Sequence, residues 1–341
     1  MLGSSEAVEC AKDNAMMKAI SYAEFGDPAH VLHTIELPVP VPNPHEVRVR
    51  MRYAPIHNHD LWTIRGSYGY KPPLPSLAGS EGLGIIEEIG EKVGHLQVGQ
   101  RVVASGIQGT WADYFIAPAA QVVPLPNSIP DEVGAQLIAM PLSTRMLLQF
   151  LDVKAGDWIV QNAANGAVGK TLAMLAKAHS VNTLNLVRRE EVIPELTELG
   201  IDHVVAMTQP DWQSQVKALT DGQPIVRAVD SISGQAARDL LDLLSIGAVF
   251  VSFGAAKREP IPILADDLIF RRISLKGFWG AQVSKEIDAS TKKAMLNELL
   301  HLASTGDLQL PVDAIFSLEH IPQAMAAQNA PNRNGKVLFK P

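Results

Sequence analysis

Between residues 153 and 281 apolar runs alternate with amphipathic stretches, a pattern that predicts strands separated by helices. Trp158-Ile159-Val160 is an apolar run bounded by turn signals, as expected of a strand buried on both faces. After the segment Asn165-Gly166-Ala167-Val168-Gly169, the apolar residues Leu172, Leu175 and Ala176 recur at helical spacing. Thr183-Leu184-Asn185-Leu186-Val187 then forms a second strand. Strand, glycine turn, helix and strand within about 30 residues make a βαβ unit of the dinucleotide-binding kind. Further strands are predicted at 203–206, 226–229, 248–251 and 273–276, with helices at 191–199, 212–219 and 233–244 between most of them. The series predicts a doubly wound, parallel α/β sheet, the Rossmann arrangement.

From residue 18 to about 130 the pattern shortens to β-type runs punctuated by Gly and Pro. Glu46-Val47-Arg48-Val49-Arg50-Met51 alternates like a half-buried strand, and Val98-Gly99-Gln100-Arg101-Val102-Val103 reads as a turn and strand. Residues 82–90 carry glycines at places where backbones can approach closely. Such spacing predicts a mostly β, barrel-like domain. Residues 131–151 turn helical, with Pro141 expected to bend the helix. A long helix is predicted at 286–304, and the closing Gly335-Lys336-Val337-Leu338-Phe339 is expected to return to the β domain. The expected organisation is a loose extension (1–16), a β domain built from 17–152 and 282–341, and a cofactor domain (153–281) inserted within it. The active site is then expected in the cleft between the two domains.

Composition narrows the function classes. A chain of 341 residues, 47% hydrophobic and 19% charged, suits two globular domains. A net charge of −7, with no basic tract longer than Arg188-Arg189 or Arg271-Arg272, argues against a nucleic-acid partner. No apolar run approaches the roughly 18 residues of a membrane helix, so no membrane partner is expected. The single cysteine, Cys10, excludes an internal disulfide framework and a four-cysteine zinc lobe, which fits a reducing compartment. The first sixteen residues hold Glu6, Glu9 and Asp13 and no arginine, unlike a secretory or transit peptide, so a cytoplasmic location is expected.

The turn after the first strand has a chemistry of its own. Gly166 is expected to let the backbone turn tightly and approach a pyrophosphate, and Gly169 to let the helix lie close against the strand. The helix N-terminus offers unpaired N–H groups and partial positive charge to phosphates. Ala164 stands where a GxGxxG pattern has its first glycine, so an ordinary βα loop is the alternative. Arg188 and Arg189 follow the second strand, where an acid would bind the ribose 2′-OH of NAD. Guanidinium forks suit a 2′-phosphate, so NADPH is the expected cofactor. Glu190 and Glu191 come next, and a solvated charge cluster is the competing reading.

From 17 to 341 the chain resembles the medium-chain dehydrogenase/reductase superfamily, through Gly79-Ser80-Glu81-Gly82-Leu83-Gly84, the turn at 99–103, the βαβ unit and Gly335-Lys336-Val337. The resemblance implies a GroES-like β domain beside the Rossmann domain, and a homodimer formed by edge pairing of the Rossmann sheets. Zinc-dependent alcohol dehydrogenases place a cysteine where this chain has His57 and a histidine where it has Ser80. Serine is a poor zinc ligand, and neither cysteine nor spacing supplies the three protein ligands of a catalytic zinc, so no metal is expected. The zinc-free branches similar to this chain are the quinone oxidoreductases and the enoyl thioester reductases. Both carry a segment like Arg65-Gly66-Ser67-Tyr68, whereas residues 161–169 and 268–279 look more like the enoyl reductases. Met140 departs from that branch, which has an asparagine before the proline matched by Pro141.

The resemblance makes Tyr68, rather than nearby Tyr70, the candidate catalytic group. A phenol donates a hydrogen bond and, at pKa ~10, can serve as a proton source. A rim tyrosine that packs against substrate is the alternative. His57, His59 and Trp62, with Met140, are candidate substrate-pocket residues, and Asp60 is expected to cap a helix beginning at Leu61. Phe253-Gly254-Ala255 and Phe278-Trp279 follow the fifth and sixth strands and match segments contacting the nicotinamide half; core or interface packing is the alternative for the last two. Lys336 matches a cofactor-proximal lysine, or is solvated. These readings imply a zinc-independent NADPH-dependent reductase acting on the activated C=C bond of a small molecule, a 2-enoyl thioester or enone. NADPH:quinone reduction is the alternative, and an NADPH-binding protein with little turnover is the alternative of another class.

Overall fold

The computed structural model describes residues 15–331 and 333–341. The expected loose extension lies outside the described residues as far as residue 14, and Met16 already opens the first strand. The chain divides into two compact units. One ends its first pass at Ala139 and resumes at Leu310 to run to Pro341; the other is Met140–Gln309. The sequence placed these steps after residues 152 and 281. The difference is two helices, Ala139–Leu151 and Ala289–Thr305, held together by Arg145 Nε and Glu298 Oε2 at 2.8 Å. His179, in the second unit, bonds the same carboxylate at 2.6 Å.

In chain order the first pass comprises β1 (Met16–Tyr22), β2 (His33–Pro38), β3 (Glu46–Pro55), α1 (Asn58–Ile64), β4 (Ser76–Leu77), β5 (Glu81–Ile89), β6 (Arg101–Ser105), β7 (Tyr114–Pro118), β8 (Val122–Pro124) and α2 (Asp131–Gly134). The second unit comprises α3 (Ala139–Leu151), β9 (Trp158–Gln161), α4 (Ala167–Ala178), β10 (Asn182–Val187), α5 (Ile193–Glu198), β11 (Val204–Ala206), α6 (Trp212–Leu219), β12 (Ile225–Asp230), α7 (Gln235–Leu243), β13 (Val249–Ser252), α8 (Ala265–Ile269), β14 (Ser274–Gly277), α9 (Gly280–Glu286) and α10 (Ala289–Thr305). The return supplies β15 (Val312–Ser317), α11 (Ile321–Gln328) and β16 (Lys336–Lys340).

In the first unit β3 buries Val47, Val49 and Met51 on one face, as its alternation requires, and pairs with β5, β7 and β16. The larger sheet runs β15-β16-β3-β5-β6-β8, with β7 also on β3; a smaller one runs β2-β1-β4. The closing segment thus returns to the β domain, as expected. Trp111 is fully buried with its ring 5.1 Å from that of Phe339, and its indole N–H donates to the Pro55 carbonyl. A buried aromatic with its polar handle satisfied locks the return strand to the first pass. Residues 131–151 form two helices rather than one bent helix. Pro141 falls in the first turn of α3, where its missing N–H would have had no intrahelical partner.

In the second unit the sheet order is β11-β10-β9-β12-β13-β14, all parallel, so the order reverses at β9, whose four residues are all buried. Ligands of such sheets sit outside the carboxyl ends of the strands at that reversal. Here the end of β9 is built by side chains. Gln161 Nε2 donates to Gly169 O at 2.8 Å and to Asn185 Oδ1 at 2.7 Å, tying β9 to the first turn of α4 and to β10. Fully buried Asp230, at the end of β12, accepts from Asn162 Nδ2 and from the N–H groups of Ile232 and Ser233.

The turn divides its labour differently from the sequence expectation. Gly166 has φ −75° and ψ 166°, which any residue adopts, and the left-handed position is taken by Ala163 at φ 50°. A Cβ on Gly166 would meet only the Ala163 carbonyl oxygen, at 3.1 Å. On Gly169 it would lie 2.6 Å from Ala164 Cα and 2.8 Å from Ala163 O, backbone atoms that cannot swing aside. Gly169 is the glycine the turn requires. Accordingly Gly169→Ala is expected to lower stability by about 2 kcal/mol or more, and Gly166→Ala by less than about 1 kcal/mol. Urea unfolding of the two variants checks this; equal losses would contradict it.

Candidate active site

In the first unit the site begins with how α1 starts. The helix opens at Asn58, with His57 at its N-cap, three residues earlier than expected. Asp60 does not cap a helix starting after it. From the third helical position its Oδ2 reaches back to accept the His57 N–H at 3.0 Å, one half of a capping box. Its Oδ1 accepts the Ser80 hydroxyl at 2.6 Å, and His59 Nε2 lies 2.8 Å from that same hydroxyl oxygen. The backbone turn of α1 and the first residues of β5 are thereby joined through one buried carboxylate.

Beside this chain His57 Nε2 meets Glu81 Oε2 at 2.7 Å, neither side chain having exposed surface. Glu81 Oε1 accepts the N–H groups of Ile138 and Ala139 at 2.7 and 2.9 Å, satisfying orphan donors at the start of α3. Burial pushes the Glu81 carboxyl up to about 8, against the pull of those two N–H groups. It also holds His57 well below the usual imidazole range, with Lys336 and His59 adding to the effect. Lys336 opens β16, buried, with Nζ 3.3 Å from the Ile56 carbonyl. Burial and the nearby Arg333 charge bring its amine down to about 8. The solvated reading of Lys336 is therefore excluded. Glu81, Ser80 and the true role of Asp60 were missed by sequence reasoning. The signal was a charged residue opening the apolar, glycine-rich first part of a strand, Glu81–Ile86, where an ion is expensive unless partnered.

Tyr68 follows the end of α1, half-buried, its N–H donating to the Trp62 carbonyl at 3.2 Å. That carbonyl also accepts the Ser67 N–H at 2.9 Å, so half-buried Trp62 anchors the turn through its backbone. The Tyr68 ring lies 6.0 Å from that of His59, which stacks on His57 at 5.0 Å and 14°. Tyr70 is exposed. The first unit thus brings together His57, His59, Trp62, Tyr68 and Lys336 of the expected residues.

The second unit holds the others. Gly166 and Ala167 are exposed at the N-terminus of α4, Asn165 and Val168 half-buried beside them, and Gly169 buried. Arg188 is exposed just past β10, and half-buried Arg189 opens one 3₁₀ turn, Glu190–Val192. Glu190 Oε1 accepts Gln209 Nε2 at 2.6 Å, which engages that acid with the loop after β11. Phe253 and Gly254 leave β13 with their N–H groups bonded to the Asp230 carbonyl, and Ala255 is exposed. Phe278 is buried between Phe253 at 5.6 Å and Phe150 at 5.4 Å, while Trp279 is exposed at the start of α9. Met140 sits half-buried in the first turn of α3, its carbonyl accepting Thr144 Oγ1 at 2.7 Å. Among the described residues no helix is long and apolar enough to cross a membrane.

Two family models match the chain, the alcohol dehydrogenase GroES-like domain over residues 43–127 and the zinc-binding dehydrogenase over 167–299. Among the described residues no group of three or more His, Cys, Asp or Glu side chains could hold a metal ion, and His57 is already engaged by Glu81. The mitochondrial enoyl-(acyl-carrier-protein) reductase of Xenopus tropicalis is 31% identical over 94% of this chain and 95% of its own length. That of Homo sapiens is 29% identical over 95% and 89%. A solved chain from Bacillus thuringiensis, provisionally named an NADPH:quinone reductase, is 26% identical with a TM-score of 0.88, covering 96% of this chain and all of its own. Two units of the expected kinds and likeness along nearly the whole length make this chain an oxidoreductase that belongs to the medium-chain dehydrogenase/reductase superfamily.

Proposed function

We propose that the protein is a zinc-independent, NADPH-dependent reductase of activated C=C bonds, acting on a 2-enoyl thioester or an enone. The observation that carries the reading is Tyr68, a phenol fixed after α1 beside a histidine kept largely neutral by burial. Likeness to enoyl reductases along 94% of the chain supports it.

Bound NADPH supplies the hydride. As the β-carbon of the substrate is reduced, negative charge gathers on its carbonyl oxygen and α-carbon. Tyr68 donates its O–H toward that charge and supplies or organises the proton that closes the reaction. Trp62 orients Tyr68 through the backbone, and no step requires a metal. In the second unit the N–H groups at the start of α4 suit the pyrophosphate. Arg188 and Arg189 suit a 2′-phosphate, and the bond from Gln209 to Glu190 occupies the neighbouring acid. Backbone near Phe253–Ala255 and Trp279 would hold the nicotinamide half, with Phe278 acting by packing against Phe253. Likeness to the Bacillus thuringiensis chain supports a second reading, quinone reduction, in which no dedicated acid is required.

A homodimer is part of the proposal. β14 ends the parallel sheet with all four residues exposed, and Leu264, Leu268, Ile269, Phe270 and Leu275 on and before it are exposed as well. An open strand edge flanked by apolar side chains suits pairing with a second copy.

With NADPH oxidation followed at about 340 nm, enones and enoyl thioesters are expected to turn over, and Tyr68→Phe to cut the rate about 10²–10⁴-fold with NADPH affinity nearly unchanged. Turnover of quinones alone would sink the enoyl assignment. Replacing Arg188 and Arg189 together by alanine is expected to weaken NADPH far more than NADH; parallel losses would refute 2′-phosphate recognition. Sedimentation equilibrium is expected to give twice the 36.8 kDa of one chain, and a single-chain mass would refute the dimer.

A further inference from the structure

The hydrogen-bond chain ending at His59 determines which of its ring nitrogens carries the hydrogen. Asp60 Oδ1 is an acceptor, so the single hydrogen of Ser80 Oγ is directed to it. Ser80 then faces His59 Nε2 at 2.8 Å with a lone pair. A bare Nε2 at that distance would set lone pair against lone pair, so His59 must carry its hydrogen on Nε2. A neutral imidazole has only one such hydrogen, which leaves Nδ1 bare.

Neutrality follows from the surroundings. Burial lowers the His59 pKa, the buried Lys336 charge acts in the same direction, and Asp60 opposes both. His57, stacked on it, is itself held neutral. Tyr68 also packs against the ring. The His59 side chain is 22% exposed, and among the described residues Nδ1 makes no hydrogen bond. Beside Tyr68 the His59 side chain therefore presents an acceptor, Nδ1.

We propose that His59 Nδ1 accepts a hydrogen bond from the substrate, so that the site favours unsaturated carbonyl compounds that also carry an O–H or N–H donor. The proposal rests on the reading of Tyr68 as the substrate site and makes His59 a specificity-determining residue. A carbonyl oxygen complements the Tyr68 hydroxyl, and a donor a few bonds away complements Nδ1. A simple quinone brings acceptors only, and would leave Nδ1 unpaired or repelled. Two sources of the donor share this chemistry: a hydroxyl on an enal chain, and the amide N–H of a thioester chain.

The test uses matched pairs with saturating NADPH. One pair is 2-hexenal and its 4-hydroxy derivative; the other is S-ethyl thiocrotonate and the N-acetylcysteamine thiocrotonate, which carries an amide. The parent protein is expected to favour the donor-bearing member of at least one pair by about tenfold in kcat/KM. The pair that responds identifies the source. His59→Phe is expected to abolish the preference, the donor-bearing member losing about tenfold more in kcat/KM than its plain partner while NADPH affinity is little changed. His59→Gln, whose amide oxygen can accept, is expected to keep part of it. Indifference of the parent in both pairs overturns the proposal without any variant, and so does a preference that survives His59→Phe. Absence of turnover with all four compounds is instead the failure of the reductase reading.

Discussion

The first unit's site depends on one buried carboxylate. Asp60 accepts the His57 N–H and the Ser80 hydroxyl at once. The first bond sets where α1 begins, and so where Trp62 and Tyr68 fall. The second joins α1 to β5 and orients His59 through Ser80. Buried polar groups are costly unless every partner is in place, so such a chain has few alternative arrangements. Glu81 extends it by holding His57 on one oxygen and the N–H groups of Ile138 and Ala139 on the other. The placement of the His59 ring beside Tyr68 is thus set by Asp60 and Ser80.

The proposed function sets the second unit a different problem, bringing backbone close to an anionic ligand without burying unpaired donors. Its solution is the packing of Gly169 onto the Ala163–Ala164 turn, supported by Gln161 from the strand below. The N-terminus of α4 remains exposed at Gly166 and Ala167, as a phosphate site requires. Asp230 and Asn162 pin the neighbouring loop by hydrogen bonds to its backbone. The open end of the sheet is thus supported by polar side chains that the apolar pattern does not reveal.

What was legible in the sequence follows from this contrast. Burial leaves apolar runs, so the strands from β9 to β13 were found within a residue or two; exposed β14 was placed as closely, and α6 at its observed bounds. The β-rich region was legible as a class, but β1, β2 and β15 were not foreseen, since strands of mixed exposure give a weaker signal than a continuous apolar run. Pro141 was read as a bend because its position within a helix depends on where the helix starts, which the pattern leaves uncertain by a turn. Gly166 and Gly169 look alike in a motif, and only the distance to Ala164 separates their roles. Asp60 was recognised as a capping residue but placed at the N-cap, whereas it caps from the third helical position. The partners of Glu81 and the burial of Lys336 were missed, because a charged residue's partners lie far away in sequence.

The central claim is that hydride reaches carbon and that a second hydrogen arrives as a proton. It is tested most directly by reducing an enone or enoyl thioester with NADPH deuterated at the transferable position, in ordinary water, and locating the label by NMR. The account predicts one deuterium on the β-carbon of the saturated product and a solvent-derived hydrogen on the α-carbon. A product with its C=C bond intact, or with deuterium on the α-carbon, would contradict it.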